Sequence, residues 1–141
     1  MQDIKMALPF EPVPKGRPRF NIIRGHVHTF TPRKTKEFEY CVAEYYKGAA
    51  GGCYFAKGVP ITVSIVFGMP MPTSTSKKRK ADMLEDIIKH TVKPDCDNLI
   101  KAILDALNGV AWYDDAQIVS LHVQKKYVET PNIYITIHET E

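Results

Sequence analysis

Residues 93–107 read KPDCDNLIKAILDAL, and the architecture turns on how this stretch folds. A strand end has no need of Asp95 and Asp97, and a capped helix needs only one of them. Pro94 disfavours helix at Lys93, so residues 93–97 are expected to be extended. Asp97 then stands at a natural N-cap, with Gly109 just past the helix end. Between them Leu99, Ile100, Ile103, Leu104 and Leu107 make a wide apolar face. Asn98, Lys101, Asp105 and Asn108 recur at three- and four-residue intervals as one polar stripe. In an extended segment side chains alternate, so Asp95 and Asp97 point the same way while Cys96 turns toward the core. Carboxylates held side by side repel unless a proton or a divalent cation lies between them. Oxygen-only ligands, with waters completing the shell, suit Mg²⁺ or Mn²⁺.

Downstream, AWYDDAQIV at 111–119 supplies a second acidic pair, Asp114 and Asp115. A tight turn at Asn108-Gly109 is expected to return the chain antiparallel and bring one of them near the first pair. Three carboxylates with Lys101, one turn on from Asp97, would make a metal-dependent phosphoryl-transfer site. Each feature alone has a plainer explanation. Asp97 can merely cap, Asp114 and Asp115 can merely turn a corner, and a bare Asp-x-Asp occurs in many loops by chance. Asn98 can orient a carboxylate or cap the helix.

Upstream, EPVPKGRPRF carries three prolines and a glycine in ten residues, which excludes a helix interior and reads as an ordered, extended arm. Residues 2–10 alternate as a first strand, and HVHTF at 26–30 is a short strand. TPRKTKEFEYCVAEYYKGAAGG starts with helix chemistry: Thr31 caps, Pro32 fits the first turn, and Gly51 and Gly52 end it. Phe38, Val42 and Tyr45 share a face at helical spacing, and the aromatics here are expected in the core rather than under bases. PITVSIVFGMP is a central strand and STSKKRKADMLEDI a basic helix. QIVSLHVQKKYV and NIYITIHE are two further strands, the first with Val119, Leu121 and Val123 on one face. The order predicts a single mixed α/β (α+β) domain over residues 1–141.

With 44% apolar and 25% charged residues, 141 residues suit one domain with a real core. Three cysteines without motif spacing argue against a disulfide framework or a zinc site. The five histidines show no ligand spacing either, and His26 and His28 lie on one side of the expected short strand. The start, MQDIKMALPF, lacks the charge pattern of a secretory leader, and no run approaches the ~18 apolar residues of a membrane helix. A cytoplasmic protein without membrane contact is expected. The net charge of +3 is unevenly spread. Residues 15–36 hold Lys15, Arg17, Arg19, Arg24, Arg33, Lys34 and Lys36 with no acid, and Lys77, Lys78, Arg79 and Lys80 follow; the remainder has eight basic and sixteen acidic residues. A basic front half and an acidic back half point to a polyanion partner and a carboxylate site.

KPDCDNLIKAILDALNG followed by WYDDAQIV resembles the RusA family of crossover-junction endodeoxyribonucleases, found in phages and prophages. PVPKGRPRF followed by TPRKTKEFE resembles that family's N-terminal segment, so the likeness spans roughly residues 4–137. Cys96 departs from the apolar residue usual at that position, and buried cysteine behaves as a small hydrophobe. The resemblance implies a homodimeric, Mg²⁺-dependent Holliday junction resolvase of DNA recombination and repair, with Mn²⁺ as a substitute. It implies Asp95, Asp97 and Asp115 as metal-binding and catalytic residues and Lys101 as the catalytic lysine, with Asp114, Asn98 and Asp105 supporting; Asp114 and Asp115 compete for the third acidic position. Hydrolysis would leave a 5′-phosphate. Phosphate contacts fall to Lys15, Arg17 and Arg19 first, then Arg33, Lys34, Lys36 and the 77–80 run. Phe20 is free to wedge at the branch point or to join a core. Two other readings remain: a nuclease on other branched DNA or on RNA, and a non-catalytic prophage DNA-binding protein.

Overall fold

The structure, a computed structural model, describes residues 3–141. Strand β4 (Ile61–Pro70) lies inside a four-stranded sheet, as its β-branched run requires. It pairs in parallel with β5 (Ile118–Val128) and antiparallel with β6 (Asn132–Glu139), and β6 pairs antiparallel with β1 (Ile4–Leu8). The order is therefore β1-β6-β4-β5. Two long helices, α1 (Arg33–Ala50) and α3 (Cys96–Leu107), cover one face. The core interleaves Ile61, Val63, Ile65 and Phe67 of β4 with Ile133, Ile135 and Ile137 of β6, Phe38 and Val42 of α1, and Leu99, Ile103 and Leu107 of α3. A short basic helix, α2 (Lys77–Leu84), is capped by the Ser76 hydroxyl. The chain is one α+β domain, as expected. Among the described residues no helix is long and apolar enough to cross a membrane. Gln2, at the start of the expected first strand, lies outside them.

Several local expectations need correction. Helix α3 starts at Cys96 with Asp95 as N-cap, so Asp97 is in the first turn instead of before it. Pro94 constrains only the residue ahead of it, and the extended Asp95 backbone already opens the helix. Cys96 is half-buried. In α1 the cap is Pro32 instead of Thr31. Its buried stripe runs Phe38, Val42, Tyr46, Ala50 at four-residue steps; Tyr45 sits at the margin, edge-on to Phe10 at 5.7 Å, and Tyr40 faces out. β5 is a sheet edge, and a register shift at Ile61/Thr62 leaves Val119 without a partner on β4; Val119 and Leu121 are exposed and only Val123 of that trio packs on the core.

The arm held an unforeseen strand. β2 (Arg19–Ile23) and β3 (His26–Phe30) form a separate two-stranded ribbon. Arg24 and Gly25 connect them, both at positive φ (52° and 77°), the geometry of a two-residue hairpin turn. Every residue of the ribbon is exposed. Phe20 is 70% exposed, which excludes its core alternative within this chain.

Candidate active site

Helix α3 sets the site because its apolar face is anchored in the core and its opposite stripe is left to solvent. Asp95 caps by backbone alone: its carbonyl accepts from Leu99 N–H at 3.1 Å, while its carboxylate makes no cap hydrogen bond. Asp97 follows in the first turn, where the positive end of the helix favours an anion. Both carboxylates are exposed, and so are Asn98 and Lys101. Behind Asp95, the Lys125 ammonium donates to the carbonyls of Val92 (2.6 Å) and Pro94 (2.8 Å), which fixes the approach to the helix.

The far end of the stripe holds the other acids. Asp105 accepts from the Lys15 ammonium at 3.1 Å, and Glu39 of α1 accepts from it at 2.6 Å. Burial alone would lower the Lys15 pKa, but the hydrogen bonds and charges of these two carboxylates outweigh it and raise the pKa. The arm is tied down further by Lys15 N–H to Asn98 O (3.0 Å) and Gly16 N–H to Thr35 Oγ1 (3.1 Å). Lys15 is thus a strut between the arm, α1 and α3, unlike Arg17 and Arg19, whose side chains are exposed with no ion pair among the described residues. Arg33 pairs with Glu37 at 2.9 Å on the open surface; Lys34, Lys36, Lys77, Lys78 and Arg79 are exposed and Lys80 is half-buried.

Asp114 and Asp115 have distinct places. Asp114 Oδ1 accepts from Ala116 N–H (3.2 Å) and Gln117 Oε1 accepts from Asp114 N–H (2.9 Å), a reciprocal cap on the turn Asp115–Gln117. Gln117 Nε2 donates to Ala56 O (2.7 Å) and Val59 O (3.0 Å), and Asn108 Oδ1 accepts from Asp115 N–H (3.1 Å). The Asp115 carboxyl is free of these duties. Its pKa is raised by partial burial first, then by a hydrogen bond with the Asp114 side chain and the charges of Asp114 and Asp105.

The expected meeting of Asp115 with Asp95 and Asp97 is not seen. At 1.5 Å per residue, Asp105 lies about 12 Å along the axis from Asp97, with Lys101 midway. Asp115 has its charged neighbours, Asp105 and Asp114, at the far end. The turn after α3 is too tight to reach back: Val110 N–H (2.9 Å) and Ala111 N–H (2.8 Å) both donate to Leu107 O. No group of three or more His, Cys, Asp or Glu side chains able to hold a metal occurs among the described residues. The donor chemistry nevertheless fits a hard cation. Asp95 keeps its carboxylate uncommitted, and the charges of Asp114 and Asp105, which add to burial in raising Asp115, are of the kind a divalent cation relieves. Mg²⁺ itself is commonly held by one or two carboxylates plus waters and substrate phosphates.

Sequence reasoning left roles unassigned to Glu39, Gln117 and Lys125. Gln117 was visible as the last residue of DDAQ; Glu39 and Lys125 act across the fold and leave no local signal.

The sequence profile of Endodeoxyribonuclease RusA matches residues 9–138. The chain is also 37% identical over 139 residues to "Uncharacterized protein YqaN" of Bacillus subtilis (strain 168), covering 99% of this chain and 98% of that one.

Proposed function

Because the chain belongs to the Endodeoxyribonuclease RusA family, we propose that it resolves four-way DNA junctions by paired, symmetric, Mg²⁺-dependent nicks in recombination and repair. The observation that carries this reading is the polar stripe of α3, with Asp95 and Asp97 at one end, Lys101 midway and Asp105 beside Asp115 at the other. Asp95 and Asp97 at one end of the stripe and Asp115 at the other would hold Mg²⁺, as one ion at either end or two, with Asp105, Asp114 and Asn98 in support. A Mg²⁺ ion held there would supply a more acidic water and a polarised scissile phosphate, and in-line displacement of the 3′ oxygen by that water would leave a 5′-phosphate and a 3′-hydroxyl. Lys101 neutralises charge that builds on the phosphate oxygens. Asp114 keeps Asp115 aimed by capping the turn, and Lys125 keeps Asp95 aimed by holding the segment before it.

A four-way junction has approximate two-fold symmetry, and a C2 dimer supplies two equivalent sites. The exposed ribbon, with Phe20 among Arg17, Arg19 and Arg24, suits insertion at the branch. The test is cleavage of a synthetic four-way junction with Mg²⁺ or EDTA, by wild type and Asp97→Asn. Paired symmetric nicks that need both Mg²⁺ and Asp97 support the reading. Binding without cutting, across several divalent metals, would leave a DNA-binding protein instead. Preferential cutting of flaps or forks, or of RNA, would move the substrate away from junctions.

A further inference from the structure

A cleft of about 790 Å³ opens beside the N-terminal end of α3 and meets the polar stripe at Asn98. It shares Lys15, Lys34, Asp95 and Asn98 with the residues just described, and three segments enclose most of it: the arm at 11–15, the exit of β4 at 69–73, and the loop at 90–95. Pro12, Pro14, Pro70, Met71, Pro72 and Pro94 give it flat or pliable apolar walls. Behind the loop, the buried His90 ring packs on Tyr127 with centroids 4.8 Å apart, and His90 Nδ1 has no partner. Lys125, through its two carbonyl contacts, holds the loop in place, so this wall is formed in advance.

Lys15 in the lining is already met by Glu39 and Asp105, which leaves two lysines against two acids around the cleft. Lys34 and Lys93 are exposed and make no ion pair among the described residues. Lys34 lies in the first turn of α1, where no acidic residue offsets the helix dipole, so side chain and backbone attract an anion together. Glu11 and Asp95 are the acids of the lining. The volume lies within the range of about 300–1,000 Å³ usual for small-ligand sites, so the cleft is sized for single residues of a strand and not for a duplex.

We propose that this cleft receives one unstacked nucleotide next to the phosphate being cut, its base against the proline and methionine walls and its phosphates on Lys34 and Lys93. The inference rests on the endonuclease reading and adds to it a place for the flanking nucleotide. Taking a base out of a stack costs least where the base is already unpaired, as at a branch point. The cleft would then help select junctions by admitting what a duplex withholds.

The test replaces each nucleotide flanking the cut, one at a time, by an abasic residue and measures single-turnover cleavage of the junction. One position is expected to slow cleavage about tenfold or more, the scale of losing one stacked base, and its neighbours to have little effect. In parallel, 2-aminopurine at the same positions is read on binding with Ca²⁺ in place of Mg²⁺, which reports unstacking without cutting. Thr73→Trp, at an exposed position on the rim, should bring the intact junction down to the rate of the abasic one and remove the fluorescence change; circular dichroism checks that this variant is folded. Uniform rates across the abasic scan, with wild-type cutting intact, overturn the cleft proposal and leave the endonuclease reading standing. A localised fluorescence change without cutting does the reverse. A junction bound with no change at any position overturns the cleft whether or not cutting occurs.

Discussion

Asp115 is the residue whose environment makes the sharpest claim. Its raised pKa means that the fold favours the neutral carboxyl. In the metal-free protein the native state therefore keeps a proton that the unfolded chain releases. Stability contributed at this position falls as pH rises from the ordinary 3.8 through the raised value. Asp105→Asn removes one of the repelling charges, so Asp115 should titrate at lower pH, as followed by NMR of the side-chain carboxyl without metal. An unchanged titration would mean that Asp105 does not reach it. Gly16 makes a steric claim instead. A Cβ there would lie 2.5 Å from Thr35 Oγ1 and 3.1 Å from Pro32 Cγ, and Thr35 is 3% exposed with little room to move. Gly16→Ala should cost about 1–3 kcal/mol in urea unfolding, read by the fluorescence of the single, buried Trp112. Full stability would show that the arm lifts freely from α1.

At the scale of elements, the turn after α3 is held by Gln117, which is 8% exposed and bonded to three backbone groups. Gln117→Leu keeps the bulk but leaves Ala56 O, Val59 O and Asp114 N–H without that partner, at about 1–3 kcal/mol for each group left unsatisfied. The expected result is a lower melting temperature together with a larger fall in cleavage than in DNA binding, because Asp115 loses its aim. Equal losses in both would make Gln117 a purely structural residue. The strong periodicities of α3, β4 and β6 were legible in the sequence because each buries a whole face. What failed to show was set between elements. Tyr46 takes the buried place because it continues the four-residue steps of Phe38 and Val42, while Tyr45 packs on Phe10. The exposure of Val119 and Leu121 goes with the place of β5 at the sheet edge, where a register shift leaves Val119 unpaired. The ribbon was hidden because its residues bury nothing in this chain, and Arg24-Gly25 was its one local mark. The separation of Asp115 from Asp97 depends on the rise of α3 and the tight turn after it, and neither appears in a motif.

At the scale of the molecule, charge and exposure are arranged for a partner larger than the protein's own folds provide. A lone two-stranded ribbon is marginal in water, and here it displays Phe20, Ile22 and Val27 at 67–70% exposure with no cover. Its cations, with those of α1 and all of α2 but the half-buried Lys80, face solvent, while Lys15 alone among the expected phosphate contacts is drawn into a triangle with Glu39 and Asp105. That difference yields a test by salt. Each phosphate neutralised steepens the fall of junction affinity with salt, by a slope of about 0.9 per contact on logarithmic axes. Arg17→Ala and Arg19→Ala should each reduce the slope by roughly one. Arg33 should behave similarly, because its exposed pair with Glu37 is a surface bridge worth only about 0–1 kcal/mol and is readily exchanged for a phosphate. Lys15→Met should leave the slope unchanged, since its charge is already met by two carboxylates, yet lower cleavage by loosening Asp105 beside Asp115. A slope reduced by Lys15→Met to the same extent as by Arg17→Ala would mean that DNA draws the ammonium out of its triangle, and the strut would then be an arm that opens to the substrate.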